Sequence, residues 1–596
     1  MTGNRSIHRS NGKIRRTTMS NAQASDAKQG TYQNFFRASA ADLMKIPGSP
    51  IAYWVSNGLV KCFESMPEIR DLDIFRRGIA TGDNALFLRF WFEVGSKNSF
   101  MCKEPTEAKW VKCNKGGEFR KWFGNLEHVI NWENEGKEIL NFKDEKGKLR
   151  SRPQNIEFNF FPVITYSSLT SGTLSVRYFD EKLINDQPGN FLALNSVETL
   201  WKLSCFLNSK LAQNFLDLLN PTLNVLVEDL NRLPFDHSFV PGASEEIFGP
   251  LHGLAKYDWN SYETSWDFSG LPLLLPEHRQ STLKASYQKL RGHWQEMTLE
   301  MERLEEENNR IFIETYGLQD ELTPDVPLDE VTLTCNPHYR YGNNKSEEEL
   351  EALLLADTMR ELISYAVGCM FGRYALEEPG LILANQGETI EDYLKQIPEP
   401  SFPADDDNVI PMLDGDWFTD DITERFREFL RIAFGEEHYE ENLRFVEEAL
   451  GKDIRKYFLK DFYNDHVRRY KKRPIYWLFS SPKGSFNALI YMHRYQPHTV
   501  GTVLEYLRDF KDEKLQARKN HLEAVSISAG ASQGEKTKAL KEIEKINKIL
   551  AELDDYERDV LYPLATEQVE IDLDDGVKAN YPKFGDALRK ITGLSQ

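Results

Sequence analysis

The 596-residue chain is 40% hydrophobic and 28% charged, the composition of globular material and not of a disordered polymer. No apolar run reaches the roughly 18 residues of a membrane span, and no apolar stretch follows the basic N-terminus, which excludes a spanning helix and a secretory signal. Six cysteines without a CxxC or a His/Cys cluster at zinc spacing predict a reduced, cytoplasmic protein with no structural metal.

The net charge of −20 is unevenly spread. Residues 1–30 carry six Lys/Arg against one Asp, residues 37–236 carry 25 of each sign, and the acidic excess falls on residues 237–596. Overall acidity does not exclude nucleic acid, because a local basic face decides binding.

Residues 1–36 are polar and basic without apolar period, a disordered arm by composition. From residue 37 to residue 236 short apolar and aromatic runs are broken by Gly, Asn and Ser, which predicts a strand-rich domain. Three stretches stand out in it. In IFRRGIATGDNALFLRFWFEV (74–94), Arg76 and Arg77 precede a turn containing Gly78, Thr81, Gly82 and Asn84, and an apolar strand follows. Glycines there permit close backbone approach, and the paired arginines suit a phosphate. NFFPVITYSSLTSGTLSVRYFDE (159–181) reads as strand, turn, strand. Ser168, Thr170, Ser171 and Thr173 would lie at the tip and Arg177 on the returning strand, suited to phosphate and base-edge contacts. In residues 191–235 two helices are expected to begin near Asn195 and Asn208, with Leu-Pro closing the unit.

Residues 237–330 are expected to be a linker and a long helix. After Pro276, Leu283, Tyr287, Leu290, Trp294, Met297, Met301 and Leu304 recur at spacings of four and three, an apolar seam with no chemistry of its own. EVTLTCNPHYRYG (330–342) then runs an apolar strand into Asn-Pro-aromatic. Amino-methylating DNA methyltransferases end their catalytic strand in a similar way, and Asn336 with Tyr339 would hold a flipped base. However, no Gly-x-Gly element occurs anywhere to receive S-adenosylmethionine. The favoured reading is a strand end closed by an Asn-Pro turn.

Residues 331–460 form a mostly helical spacer, with a capped acidic helix after Ser346 and a boundary near the acidic loop Asp405–Asp407. Residues 461–596 form the last region. DHVRRYKKRPIYWLFSSPKG (465–484) concentrates Arg468, Arg469, Lys471, Lys472 and Arg473 among aromatics, which suits a nucleic-acid backbone. Helices over 515–525 and about 540–560, joined by SISAGASQG, predict a helical hairpin. Asp572, Asp574 and Asp575 fail the EF-hand spacing and read as an Asp-Gly turn.

The three front stretches, in this order, resemble the target-recognition domain of amino-methylating DNA methyltransferases and restriction-modification specificity subunits. SYAVGCMFGRYALEEPGLILANQGE (364–388), RPIYWLFSSPKGSFNALIYMHRY (473–495) and IDLDDGVKANYPKFGDAL (571–588) narrow this. They are similar to the C-terminal half of the adenine-specific methyltransferases of BREX phage-defence systems. The resemblance covers about residues 37–594. It implies an α+β chain with a target-recognition domain over 37–236, a helical spacer, and a C-terminal domain with a hairpin. It further implies recognition of double-stranded DNA for methyl transfer from S-adenosylmethionine to the adenine amino group. In the family the cofactor motif and the Asn-Pro-Pro-Tyr lie upstream of the target-recognition domain. The catalytic half is therefore expected to be absent from this chain, which would bind no cofactor itself. The implied partners are that half and other BREX subunits, with no membrane. Two alternatives are a non-catalytic interaction subunit of a defence complex and a stand-alone methyltransferase using Asn336 and Tyr339.

Overall fold

The structure is a computed structural model that describes residues 55–169, 173–220, 222–238 and 245–594. The basic arm and the tip residues Thr170 and Ser171 lie outside the described residues. The fold is α+β, with three small sheets among many helices.

Two sheets come from the front of the chain. The first has the order β1-β3-β2-β6, made of β1 (Leu88–Phe90), β2 (Trp110–Asn114), β3 (His128–Asn131) and β6 (Ile184–Asn185). β2 shows why this segment is a strand: Trp110 enters the main core while Val111 and Cys113 enter a smaller second core, the alternation of a pleated chain. The second sheet is antiparallel, with β4 (Val163–Ser167) between β5 (Val176–Phe179) and β7 (Gly189–Ala193). Every residue of these three strands is buried, which fits their β-branched and aromatic composition.

The helices expected near Asn195 and Asn208 are Val197–Leu207 and Lys210–Leu219, capped by the hydroxyls of Ser196 and Ser209. The long helix is Leu283–Thr315, and all seven predicted seam residues are buried. It packs on the front unit, where Asn308 Nδ2 donates to Cys205 O at 2.9 Å and Lys210 N donates to Asn309 Oδ1 at 2.8 Å. The acidic helix Glu347–Met370 begins in a capping box of Ser346 and Glu349.

The third sheet sets β10 (Asn487–Tyr491) between β8 (Ile410–Pro411) and β9 (Tyr476–Ser480). The acidic loop Asp405–Asp407 makes contacts to the third sheet and the residues after it. Arg494 donates to the carbonyls of Asp405 and Asp406 at 2.7 and 3.0 Å, and Asn408 exchanges two 3.1 Å hydrogen bonds with Tyr491. The loop is thus stitched to β10, because its own backbone groups find partners there. Helices Gln516–Ile527 and Gln533–Tyr556 form the expected hairpin. Glu552 from the second helix accepts from Lys483 N and Ser485 Oγ in the turn between β9 and β10.

Front and rear are tied together. The IDLDDG segment is a turn, as expected, and it is also a latch. Asp574 accepts from Trp110 Nε1 and Lys109 Nζ, each at 2.7 Å, and Val577 N donates to Glu93 Oε1 at 2.9 Å.

Candidate nucleic-acid interface

Arg76 and Arg77 have separate fates. Arg76 is spent on structure, pairing with Asp73 at 2.8 Å and covering the ring of Phe158 at 4.2 Å. Arg77 is exposed, with no ion pair among the described residues. The glycines that follow permit close approach to the protein's own backbone. A Cβ at Gly78 would stand 2.2 Å from Asn185 O, and Gly82, at φ +79°, faces the Arg150 backbone at 2.8 Å. Asp83 then caps a short helix, Asn84–Phe87, in place of the expected continuous strand. The Thr81 hydroxyl donates to Asn84 Oδ1 at 2.7 Å, which leaves the Asn84 Nδ2 hydrogens free.

Arg77, Thr81 and Asn84 line a cleft of 670 Å³ with Ser168 from the hairpin end of β4. Its other walls carry Asp186, Gln187 and Asn190, with Asn224 from the segment that bridges to Leu169. These last residues were missed in the sequence, although DQPGN (186–190) carries the Pro-Gly turn signal.

Two hairpin residues stand elsewhere. Thr173 lines a separate cavity with Lys121 and Asn208. Arg177 requires a correction: it is fully buried, donating from Nη1 to Arg120 O and from Nη2 to Ser167 Oγ, both at 3.1 Å. It sits on the returning strand, as expected, opposite Thr165, and burial pushes its pKa down to about 10. A guanidinium held this way reads no base.

The basic run divides in the same manner. Arg469 pairs with Glu263 at 2.6 Å, Lys471 pairs with Glu127, and Arg473 lies 3.8 Å from Glu93. The last two join the rear of the chain to the front. Arg468, in the last turn of the helix Tyr463–Arg469, has 80% of its side chain exposed and lies 3.3 Å from Asp465, and Lys472 is exposed beyond the helix. Lys471 and Lys472 both adopt left-handed backbone, at φ +50° and +61°. Two successive non-glycine residues in that region cost about 1–2 kcal/mol each, so the turn is held by its surroundings.

Front and rear candidates line a series of adjoining hollows. Asn84 also lines a hollow with Lys115, His128 and Arg473. Lys115 and His128 continue into a concavity with Arg120, Asn125 and Lys471. Lys471 in turn lines a cavity with Arg468 and Arg469. The hollows share lining residues from Arg77 to Arg468. Burial, with Lys115 and Lys471 alongside, pushes the His128 imidazole down to about 3, so this histidine stays neutral, while Glu93, Asp575, Glu118 and Glu127 line the same hollows as the lysines. Lys472 does not line these hollows.

The Asn-Pro segment is not a strand. Asn336 is the N-cap of a short helix, Pro337–Tyr341. Its Nδ2 donates to Leu328 O at 2.7 Å and Val331 O at 2.9 Å, and its Oδ1 accepts from His338 N at 3.1 Å. The amide is saturated and fully buried, and the Tyr339 hydroxyl donates to Phe119 O. Asp258 holds the backbone N–H groups of Thr334 and Cys335, which pulls this β-branched stretch out of any ladder. The Asn336 amide is not available to a base, and the Tyr339 ring, tied by its hydroxyl, lines the concavity beside Arg120.

No family model matches the chain. By sequence it is similar to adenine-specific methyltransferases, and the two relatives of that class are named BrxX and PglX. It is 35% identical over 573 residues to the adenine-specific methyltransferase BrxX of Escherichia coli O9:H4 (strain HS). It is 36% identical over 583 residues to the adenine-specific methyltransferase PglX of Lacticaseibacillus casei (strain Zhang). These matches cover 93% and 94% of this chain and 46% of each relative, so the chain spans about half the length of the curated relatives it matches.

Proposed function

We propose that the chain recognises double-stranded DNA for a BREX-type adenine-specific methyltransferase of phage defence. Methyl transfer itself, with S-adenosylmethionine as donor, belongs in this reading to the part of the relatives' length that the chain does not match. The series of hollows from Arg77 to Arg468, read as one groove, carries the proposal, because it gathers cations and free amides from segments almost 400 positions apart in sequence. Arg77 and Arg468 at its ends, with Lys472 beside it, suit phosphates. The amides of Asn84 and Gln187 suit base edges. The overall charge of −20 does not oppose this, since duplex binding is decided by the local face.

Fluorescence anisotropy of this chain with a labelled duplex over a salt series tests the reading. Binding is expected to weaken steeply with salt. Replacing Arg77, Arg468 or Lys472 by Ala should lower the slope by roughly one unit per lost phosphate contact. A salt slope unchanged in all three variants would contradict it and favour the interaction-subunit reading.

A further inference from the structure

The 320 Å³ cavity at the Arg468 end of the groove is built more finely than a phosphate track requires. That volume suits a small ligand. Its walls include Trp259, Tyr262, Phe268 and Tyr365, drawn from the end of the Glu245–Asn260 helix, the residues after it and the Glu347–Met370 helix.

Most of the charge inside is already spent. Glu263 Oε1 accepts from Arg469 and from the Ser364 hydroxyl. Arg340 Nη2 faces Glu361 at 2.9 Å and Asp357 at 3.2 Å. Three buried polar atoms remain without a protein partner: Glu263 Oε2, Arg340 Nη1 and the Tyr262 hydroxyl. Glu263 itself is only 7% exposed, and the Arg340 guanidinium lies 5.7 Å from the Tyr262 ring centre. These three enclosed atoms belong to residues that line the cavity among its aromatic walls, and Arg468 at the mouth is exposed while lying 3.3 Å from Asp465.

A planar heterocycle presenting a donor beside an acceptor satisfies the interior, and a phosphate satisfies Arg468. We propose that this cavity is a binding site for a single nucleotide, with the base inward against Glu263, Arg340 and Tyr262 and the phosphate at Arg468. The nucleotide has two possible sources, free in solution or extruded from a duplex in the groove. The site stands on its own lining and does not require the groove to carry DNA.

Calorimetric titration of the full chain with AMP, CMP, UMP, adenosine and ribose 5-phosphate tests this. At least one mononucleotide should bind one-to-one and more tightly than ribose 5-phosphate. Tyr262→Phe removes only an unpartnered hydroxyl and should weaken that binding roughly 3- to 10-fold, with the melting temperature unchanged. Arg468→Ala should weaken the nucleotide and leave adenosine unaffected. Absence of saturable binding by every mononucleotide, equal binding of ribose 5-phosphate, or indifference to both variants would overturn the proposal. A duplex carrying 2-aminopurine separates the sources. Fluorescence that rises on binding and is lost in Tyr262→Phe identifies an extruded base, and unchanged fluorescence alongside AMP binding identifies the free nucleotide. If the chain binds no duplex, the DNA reading fails while the mononucleotide titration still decides the cavity.

Discussion

Lys471 and Glu127 form an ion pair between the turn after the helix Tyr463–Arg469 and the residue that leads into β3, 344 positions earlier. Both side chains line the same two adjoining hollows, so the pair sits where the front of the chain meets the rear along the groove. Half-exposed pairs of this kind contribute about 0–1 kcal/mol to stability. Their value here is positional, since Lys471 is fixed in the groove wall while Arg468, paired with Asp465 at 3.3 Å, and Lys472 stay exposed on either side of it.

The first prediction separates structural from recognition residues. Asn336→Ala removes one of the two donors to each of the Leu328 and Val331 carbonyls together with the cap on His338 N, and Arg177→Ala strands Arg120 O and takes one donor from the Ser167 hydroxyl, which keeps its bonds to Gly117. Each should lower unfolding free energy by about 1–3 kcal/mol in denaturant melts. The folded fraction of each variant should bind duplex as the parent does. A selective loss of cognate binding in Arg177→Ala would return that residue to the recognition surface.

What was legible in the sequence was local. Ser196, Ser209, Thr282, Ser346 and Ser532 each precede a helix and each accept the capping hydrogen bond. The seam from Leu283 to Leu304 and the pairing of residues 163–167 with 176–179 likewise follow from spacing and residue type. The failures were all long-range. VTLTC has strand propensity, but Asp258 takes its amides. Arg177 reads as a surface arginine until β4 and the Arg120 loop enclose it. The cavity behind Arg468 draws on residues from Glu127 to Lys471, and no window of sequence contains it.

Specificity should reside in amides and not in Arg177. A bidentate Asn or Gln contact to adenine discriminates by about 1–3 kcal/mol. Asn84→Ala and Gln187→Ala should therefore narrow the ratio of cognate to random binding by roughly 5- to 150-fold, measured by competition binding to this chain. Equal losses on both duplexes would make these residues backbone contacts only.

Stability should fall as pH rises through the neutral range. Burial and the neighbouring Asp407 push the Asp405 carboxyl up to about 8, from 3.8 in the unfolded chain. Between those values the folded state holds the extra proton, so this contribution is present at low pH and lost as pH approaches about 8. Asp405→Asn should flatten the decline in melting temperature between these limits and raise it at the alkaline end. An unchanged pH profile in that variant would show that Asp405 does not titrate there.

The central claim is that one groove, bounded by Arg77 and Arg468, holds a single duplex. Charge reversal at both ends tests it most directly, with Arg77→Glu, Arg468→Glu and the double variant titrated against one labelled duplex at fixed salt. A shared duplex predicts that each single variant weakens binding and that the double variant weakens it by about the product of the two, as for distant sites on one interface. Parent-like affinity in the double variant, or an effect confined to one end, would contradict it.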